Sequence, residues 1–285
     1  MGYKVLQLKL PTYYSDDDIR LLIGKKLGLS DFSYQIAKKG LDARKKKDIH
    51  WLISIVVSSD KLSTDEYPEP KLFPIPYKKR DKTVIVIGSG PAGFFTAQVL
   101  QLAGFKVTIV ERGSEVEQRS LAIQRLEERG EFSPQNNYAF GEGGAGTFSD
   151  GKLTSRSKHI SSERLYILSE YVKAGAPKEI SYMSHPHVGT DILKVVVTNL
   201  RQMFLKNGGV FLFNTMLEDV LIKNNRVEKV VCNNAELQAD YIILATGHSA
   251  YETYRMLIRR GIQIGTKNFA IGHRIEHKQR FINMA

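Results

Sequence analysis

Apolar positions along this chain recur with two periods, and the switches between them mark out the elements. Between residues 3 and 10, Val5, Leu8 and Leu10 alternate with Lys4, Gln7 and Lys9, a rough strand pattern. Asp16, Asp17 and Asp18 then load carboxylates onto the first turn of a helix predicted to end at Leu27, where they suit the helix dipole. Strands at 32–38 and 50–57 complete a small α+β module, expected to be ferredoxin-like or a similar sandwich. Next comes a continuous apolar run, Val84, Ile85, Val86 and Ile87, of the kind found in parallel strands buried on both faces. Behind it Ala92, Phe95, Val99, Leu102 and Ala103 fall on one helical face, with Gly104 as the C-cap, and a second strand follows at 107–110. Helical spacing returns at 162–174 and 191–206; in the second, Ile192, Val195, Val196, Leu200 and Phe204 share one side and Gly208-Gly209 ends it. Strands are predicted at 210–213, 217–223, 227–232 and 241–245, with Asn224-Asn225 turning a hairpin. The sum is an α/β chain with a parallel sheet, preceded by the small α+β module.

The join between the apolar strand and the helix at 92 carries the chemistry. It reads Gly88-Ser89-Gly90-Pro91-Ala92-Gly93, and the next strand stops on Glu111-Arg112. Gly88 permits the tight turn, Gly90 lets the backbone approach a pyrophosphate that the helix N-terminus favours, and Gly93 lets helix and strand pack closely. Glu111 can accept hydrogen bonds from a ribose hydroxyl pair. An acid at this strand end argues against a 2′-phosphate, so the expected ligand of this site is FAD or NAD and not NADP.

A second glycine cluster, Gly141-Glu142-Gly143-Gly144-Ala145-Gly146-Thr147, precedes Phe148-Ser149-Asp150-Gly151-Lys152. Glycines at this density allow close approach to a flat ligand, and successive N–H groups can form an anion-binding nest. A third signal is the strand ending in Ala245-Thr246-Gly247. Together these resemble the two-dinucleotide-binding-domain flavoproteins. The run from Phe140 to Leu153, with the basic segment around Arg44 and the Phe269 to His277 region, is similar to the bacterial NAD(P)/FAD-dependent dehydrogenase family. That resemblance implies a Rossmann-like FAD-binding domain and a flavin-dependent oxidoreductase, with NAD(P)H as a candidate electron donor and an unidentified small-molecule substrate. It implies FAD contacts at Gly88, Gly90, Pro91, Ala92, Gly93, Glu111, Arg112, Gly143, Gly144, Gly146, Thr147, Lys152, Thr246 and Gly247. Family members continue through a substrate domain to a C-terminal Gly-Asp segment that contacts flavin, so the chain is expected to be an N-terminal portion.

Four prolines at 68, 70, 74 and 76 predict an extended linker. The expected division is therefore a basic module at 1–67, a linker at 68–80, the FAD/NAD(P)-binding domain with its hairpin insertion at 81–265, and the start of a substrate domain at 266–285. No apolar run approaches the roughly 18 residues of a membrane span, and a cytoplasmic enzyme with no membrane partner is expected. Cys232 is the only cysteine, which excludes an internal disulfide, a C-x-x-C zinc site and the paired redox cysteines of disulfide reductases. No metal site is expected.

Candidates for catalysis are few. Lys152 follows the second glycine cluster and can offset negative charge on a reduced flavin. His185 and His187 flank Pro186 in a loop and are candidates for proton transfer. His248 follows a strand end, where open α/β sheets bind ligands. Ser149 and Asp150 can cap a helix or touch a ligand, and Cys232 is expected to be a buried strand residue. The net charge of +11 adds one alternative, since residues 1–80 hold sixteen Lys or Arg against ten Asp or Glu. The stripe from Lys38 to Lys47 can track a phosphate backbone, which would make the protein a flavoprotein of RNA modification. A catalytically inactive FAD-binding fragment is the remaining alternative.

Overall fold

The computed structural model describes residues 2–63, 67, 73–149, 151–155, 157–269, 271–273 and 275–284. The N-terminal sheet is built from β1 (Gly2–Pro11), β2 (Ser33–Asp42) and β3 (His50–Ser59), with α1 (Asp16–Leu27) between the first two. Its order is β1-β3-β2, with β3 antiparallel to both neighbours. This is the βαββ half of a ferredoxin-like unit. The second helix and fourth strand of a complete one do not occur among the described residues. Leu8, Leu10, Ile53, Ile55 and Val57 pack beneath Ile19 and Ile23 of α1. Val5, expected to share their face, is exposed, because strand side chains alternate strictly and an odd position in β1 lies opposite Leu8. Ser15 caps α1 in a reciprocal capping box with Asp18, a start signal beyond the three aspartates.

The larger body is a four-stranded parallel sheet of β4 (Thr83–Ile87), β5 (Lys106–Val110), β6 (Val210–Leu212) and β10 (Tyr241–Leu244). Its order is β10-β4-β5-β6, so the chain starts in β4, winds outward through β5 to β6, and returns to pair β10 on the other side of β4. The order reverses between β4 and β10, and this reversal defines a doubly wound, Rossmann-like sheet with its crevice at that point. One face is covered by α2 (Pro91–Leu102), α4 (Ser161–Lys173) and α5 (Thr190–Lys206), through Phe94, Phe95, Leu168, Tyr171, Val196 and Phe204. The other carries an antiparallel meander of β7 (Leu217–Lys223), β8 (Arg226–Cys232) and β9 (Ala235–Gln238), together with α6 (Tyr251–Arg259). Asn224 and Asn225, both at positive φ, make the β7–β8 turn.

Two helix ends differ in detail from expectation. Ala103 and Asn207 are the caps of α2 and α5, and the glycines expected to cap them, Gly104 and Gly208, stand one residue further on at positive φ. The helix α3 (Val116–Arg129), like α6 and the short helix Gln279–Asn283, has no counterpart among the elements read from the apolar pattern. Its buried stripe is Val116, Arg119 and Ile123, so an arginine interrupts the hydrophobic period.

Residues 68–72 of the expected linker lie outside the described residues. From Phe73 onward the chain runs against the larger body, with Phe73 beside Tyr166 and the Lys78 and Arg80 amides donating to the Ala103 and Gly104 carbonyls. The N-terminal sheet is also tied on by backbone bonds: Lys39 N–H donates to the Tyr182 carbonyl and Ser184 N–H to the Lys39 carbonyl, both 2.8 Å. Among the described residues beyond 265 the one regular element is the short α7 (Gln279–Asn283), and Phe269, Ile271 and Ile275 are exposed. No helix among the described residues is long and apolar enough to cross a membrane.

Candidate cofactor cavity

A cavity of about 330 Å³ opens at the carboxyl ends of β4, β5 and β10, at the point where the sheet order reverses. Its floor is the first glycine loop, with Gly88, Gly90, Pro91 and Ala92 on the wall. Gly88 stands at φ +104°, and a Cβ there would collide with the Ala245 carbonyl of the neighbouring strand end. A Cβ on Gly93 would collide with the Gly88 carbonyl and meet the Ala245 Cβ at 3.3 Å, so Gly93 packs behind the loop and does not line the cavity. Gly90 differs from both. Its φ is −64°, it starts α2, and the only atom a Cβ would approach is the Gly144 Cα, at 3.7 Å.

The opposite wall is the second glycine cluster, with Gly144 and Gly146 facing the space. A Cβ on Gly144 would come within 2.8 Å of the Gly90 Cα, so two bare backbones face each other. Thr246 and Gly247 close a third side. Gly143 and Thr147, also expected to contact FAD, do not line this cavity: Thr147 is buried with its hydroxyl on the Glu142 carbonyl, and Gly143 lies on the side toward α5.

Glu111 is buried at the cavity edge, and its carboxylate ties three backbone segments together. Oε2 accepts from Ser89 N–H at 2.9 Å and Ser89 Oγ at 2.7 Å; Oε1 accepts from Gly113 N–H at 2.9 Å and Gly141 N–H at 3.1 Å. All four acceptor positions are therefore taken by the protein, where the sequence suggests a side chain free for ribose. Arg112 also lines the cavity, with its guanidinium 3.8 Å over the Phe140 ring and bonded to Gln135 and Glu252. Glu252 titrates below the usual glutamate range, chiefly through its own backbone N–H and then through Arg112.

The sequence gives no hint of what holds the second loop in shape. Arg119 is wholly buried, and its guanidinium donates to five backbone carbonyls: Asn137 at 3.0 Å, Tyr138 at 3.3 Å, Gly141 at 3.3 Å, Glu142 at 2.7 Å and Gly144 at 2.8 Å. Burial pulls its pKa down to about 10, with Glu111 and Glu142 opposing. Behind it Glu142 accepts from Val116 N–H at the start of α3 and from Arg201 at 2.7 Å. Desolvation pushes the Glu142 carboxyl up and these partners pull it back. The only signal available from sequence was an arginine where the α3 stripe needed an apolar residue.

The catalytic candidates separate. His248 lines the cavity, with Nε2 at 3.3 Å from Ser249 Oγ. Lys152 does not line it: the side chain is exposed, and the residue pairs with His187 across a short antiparallel bridge. His187 is exposed, and His185 borders a different groove with Lys38 and Ser184. None of the three is near the glycine loops' open side, because Leu153 N–H and Val188 N–H lock residues 151–153 against 186–188 on the outside of the loop. Ser149 is exposed, with its hydroxyl on the Gly146 carbonyl, and Asp150 lies outside the described residues. Cys232 is buried in β8, its thiol pushed up to about 11 by desolvation. In the basic stripe, Arg44 is bonded to Asp42, and Lys39 lies over the Tyr14 and Trp51 rings.

Comparison with known proteins gives the following. The model of the pyridine nucleotide-disulphide oxidoreductase family matches residues 82–281. An uncharacterised protein of Clostridium beijerinckii is 40% identical over 288 positions, covering 94% of this chain and 54% of its own length. A thiamine thiazole synthase of Aeropyrum pernix is 30% identical over 201 positions, covering 65% of this chain and 61% of its own length. Among solved structures, THI4 of Thermovibrio ammonificans is similar over 64% of both chains, at 19% identity and a TM-score of 0.43. The chain thus spans little more than half the length of the curated relatives it matches.

Proposed function

The chain belongs to the pyridine nucleotide-disulphide oxidoreductase family, and from that premise we propose that its cavity holds FAD and that the protein is a flavin-dependent oxidoreductase. The observation carrying this reading is the first glycine loop, whose Gly90 starts α2 on the wall of the cavity at the crevice of a doubly wound sheet. The fit is specific to these positions. A Cβ at Gly88 or Gly93 would strike protein, whereas one at Gly90, on the cavity wall, would meet only the Gly144 Cα in ordinary contact.

In this reading the α2 N-terminus and the Gly90 backbone bind the pyrophosphate. A ribose hydroxyl takes the place of the Ser89 hydroxyl on Glu111 Oε2, since that donor can rotate away while the three N–H groups stay. Arg112, braced on Phe140, holds positive charge at the edge of the cavity. When bound, FAD supplies hydride transfer between a nicotinamide or organic substrate and the ring. His248 is the proton-exchanging group of choice, because its imidazole stands on the cavity wall. Dithiol chemistry is not part of the proposal, since Cys232 is the only cysteine of these 285 residues and is buried away from the cavity.

The test is a visible spectrum of the 285-residue chain after incubation with FAD and gel filtration, followed by anaerobic addition of NADH or NADPH. Retained flavin that bleaches with either donor is expected. A colourless protein with no measurable affinity for ADP would overturn the reading.

A further inference from the structure

A groove of about 490 Å³ runs along the seam between the N-terminal sheet and the larger body, and it shares no lining residue with the cofactor cavity. Its floor is the face of the sheet that α1 leaves open. Strand register sets one row of that floor, because Gln7 of β1, Ser54 of β3 and Lys38 of β2 are direct cross-strand partners. Neighbouring strands lie about 4.8 Å apart, so an amide, a hydroxyl and an ammonium group stand side by side. Leu52, two residues before Ser54 on the same face, is exposed beside them.

Lys38 joins this row because β2 is irregular. Ile36 packs on the α1 side, opposite Ile55, and strict alternation would put Lys38 there too. One extra residue, Ala37, breaks the register between Ile36 and Lys38. Lys38 therefore pairs with Ser54 on the open face, and Lys39 turns to the α1 side, onto the Tyr14 and Trp51 rings. Bulges disrupt the ladder and gather where a side chain has to be re-aimed, and the side chain re-aimed here is a cation. The walls come from two other segments. Gly40 offers bare backbone in the next row, and a Cβ there would come within 2.8 Å of Ser184 Oγ, so the larger body closes down on it and brings Ser184 and His185 to the groove. Arg44 lines the end near the β2–β3 connection, with its guanidinium held on the Asp42 carboxylate through Nε at 2.9 Å and through Nη2. Among the described residues the side chains of Gln7, Lys38, Ser54, Ser184 and His185 make no hydrogen bond or ion pair within the protein.

We propose that this groove binds a small organic anion, with a phosphate or carboxylate on the Gln7–Ser54–Lys38 row beside Ser184 and an apolar body over Leu52. The lining has the chemistry for that class: converging donors, one cation with no counter-charge, a single carboxylate already paired with Arg44, and one exposed apolar side chain. Its volume lies in the ordinary range for small-ligand sites. A strand of nucleic acid fits less well, because Lys45, Lys46 and Lys47 of the basic stripe do not line the groove, and among the described residues neither does any phenylalanine, tyrosine or tryptophan on which a base could stack. Nothing here depends on what fills the cofactor cavity.

Four probes separate charge from apolar contact. Phenyl phosphate and benzoate carry the two anionic groups, inorganic phosphate lacks the apolar body, and phenol lacks the charge. Each is titrated into the 285-residue chain while the Lys38, Ser54, Ser184 and His185 amides are followed by NMR. Lys38→Gln and Lys47→Gln are the variants; both lysines are exposed, so the fold is kept. Phenyl phosphate or benzoate should saturate, more tightly than inorganic phosphate, the tighter of the two naming the head group, and phenol should leave these amides unmoved. Lys38→Gln should weaken the tighter probe by roughly tenfold, the worth of one charge-assisted hydrogen bond, and Lys47→Gln by less than about twofold. Equal losses in the two variants would mark a diffuse basic surface and overturn the site. Phenol binding as well as the anions, inorganic phosphate binding as tightly as the aryl probes, or no saturable shift with any of the four would do the same. A single-stranded RNA that displaces the tighter probe and weakens equally in both variants would assign the stripe to nucleic acid instead.

Discussion

Replacing Gly90 and Gly93 by alanine, one at a time, separates a ligand site from a packing site three residues apart. At Gly93 the new Cβ would collide with the Gly88 carbonyl oxygen, lie 3.0 Å from its carbon and 3.3 Å from the Ala245 Cβ. Neither neighbour can yield, since Gly88 is itself held at φ +104° against the Ala245 carbonyl. Overpacking of this kind costs about 1–3 kcal/mol, and the helix propensity of alanine returns at most about 1. A net loss of about 1–2 kcal/mol lowers the melting temperature by roughly 2–4 °C for a chain of this size. At Gly90 the backbone is ordinary, at φ −64° and ψ 174°, and the Cβ meets only the Gly144 Cα at 3.7 Å. Less freedom in the unfolded chain and a poorer N-cap offset each other, so stability should stay within about 1 kcal/mol of wild type. Ligand affinity should behave in the opposite way. A methyl group on the cavity wall at the α2 N-terminus holds a diphosphate off and removes about two charge-assisted bonds, roughly 3 kcal/mol or a hundredfold in Kd. Thermal melts without ligand and ADP titrations of both variants make the comparison. If Gly90→Ala keeps ADP affinity within about threefold, the Gly90 backbone is not the diphosphate cradle. If it melts as low as Gly93→Ala, Gly90 is a packing position as well.

Two further predictions concern the carboxylates around the sheet. Glu111→Gln replaces acceptors by an NH₂ group facing protein N–H donors, which should cost about 2–4 kcal/mol in urea unfolding; a loss under about 0.5 kcal/mol would show that Glu111 does not tie the loops together. Asp240, at the start of β10, titrates below its ordinary value of 3.8 because Lys82 and then the Thr83 N–H and hydroxyl bond to it. A depressed carboxylate releases its proton more readily in the folded state, so its contribution is present above pH 3.8 and is lost as the pH falls through the lower folded value. Asp240→Asn should therefore flatten the acid side of the urea midpoint against pH, and an unchanged slope below pH 4 would refute the assignment.

Much of this molecule is determined locally and was legible without coordinates. The apolar run at β4, the glycines after it and the acid closing β5 define a βαβ unit by short-range chemistry alone: a buried parallel strand, a turn at positive φ and a helix start. The same holds for α1, where three aspartates and a capping serine state the beginning of a helix. What could not be read are properties that exist only when distant segments meet. Glu111 looked free because the Ser89 and Gly141 groups that occupy it come from other loops. Lys152, His185 and His187 looked available because nothing in their own stretch reveals the pairing that turns 151–153 and 186–188 away from the cavity. Arg119 belongs to no motif in the sequence, and the fold buries it to organise five carbonyls. Hydrophobic period and turn chemistry depend on neighbours in the chain, so the sequence by itself determined the elements and the first glycine loop. Hydrogen-bond occupancy and burial of charge depend on neighbours in space, and only the tertiary structure decided those.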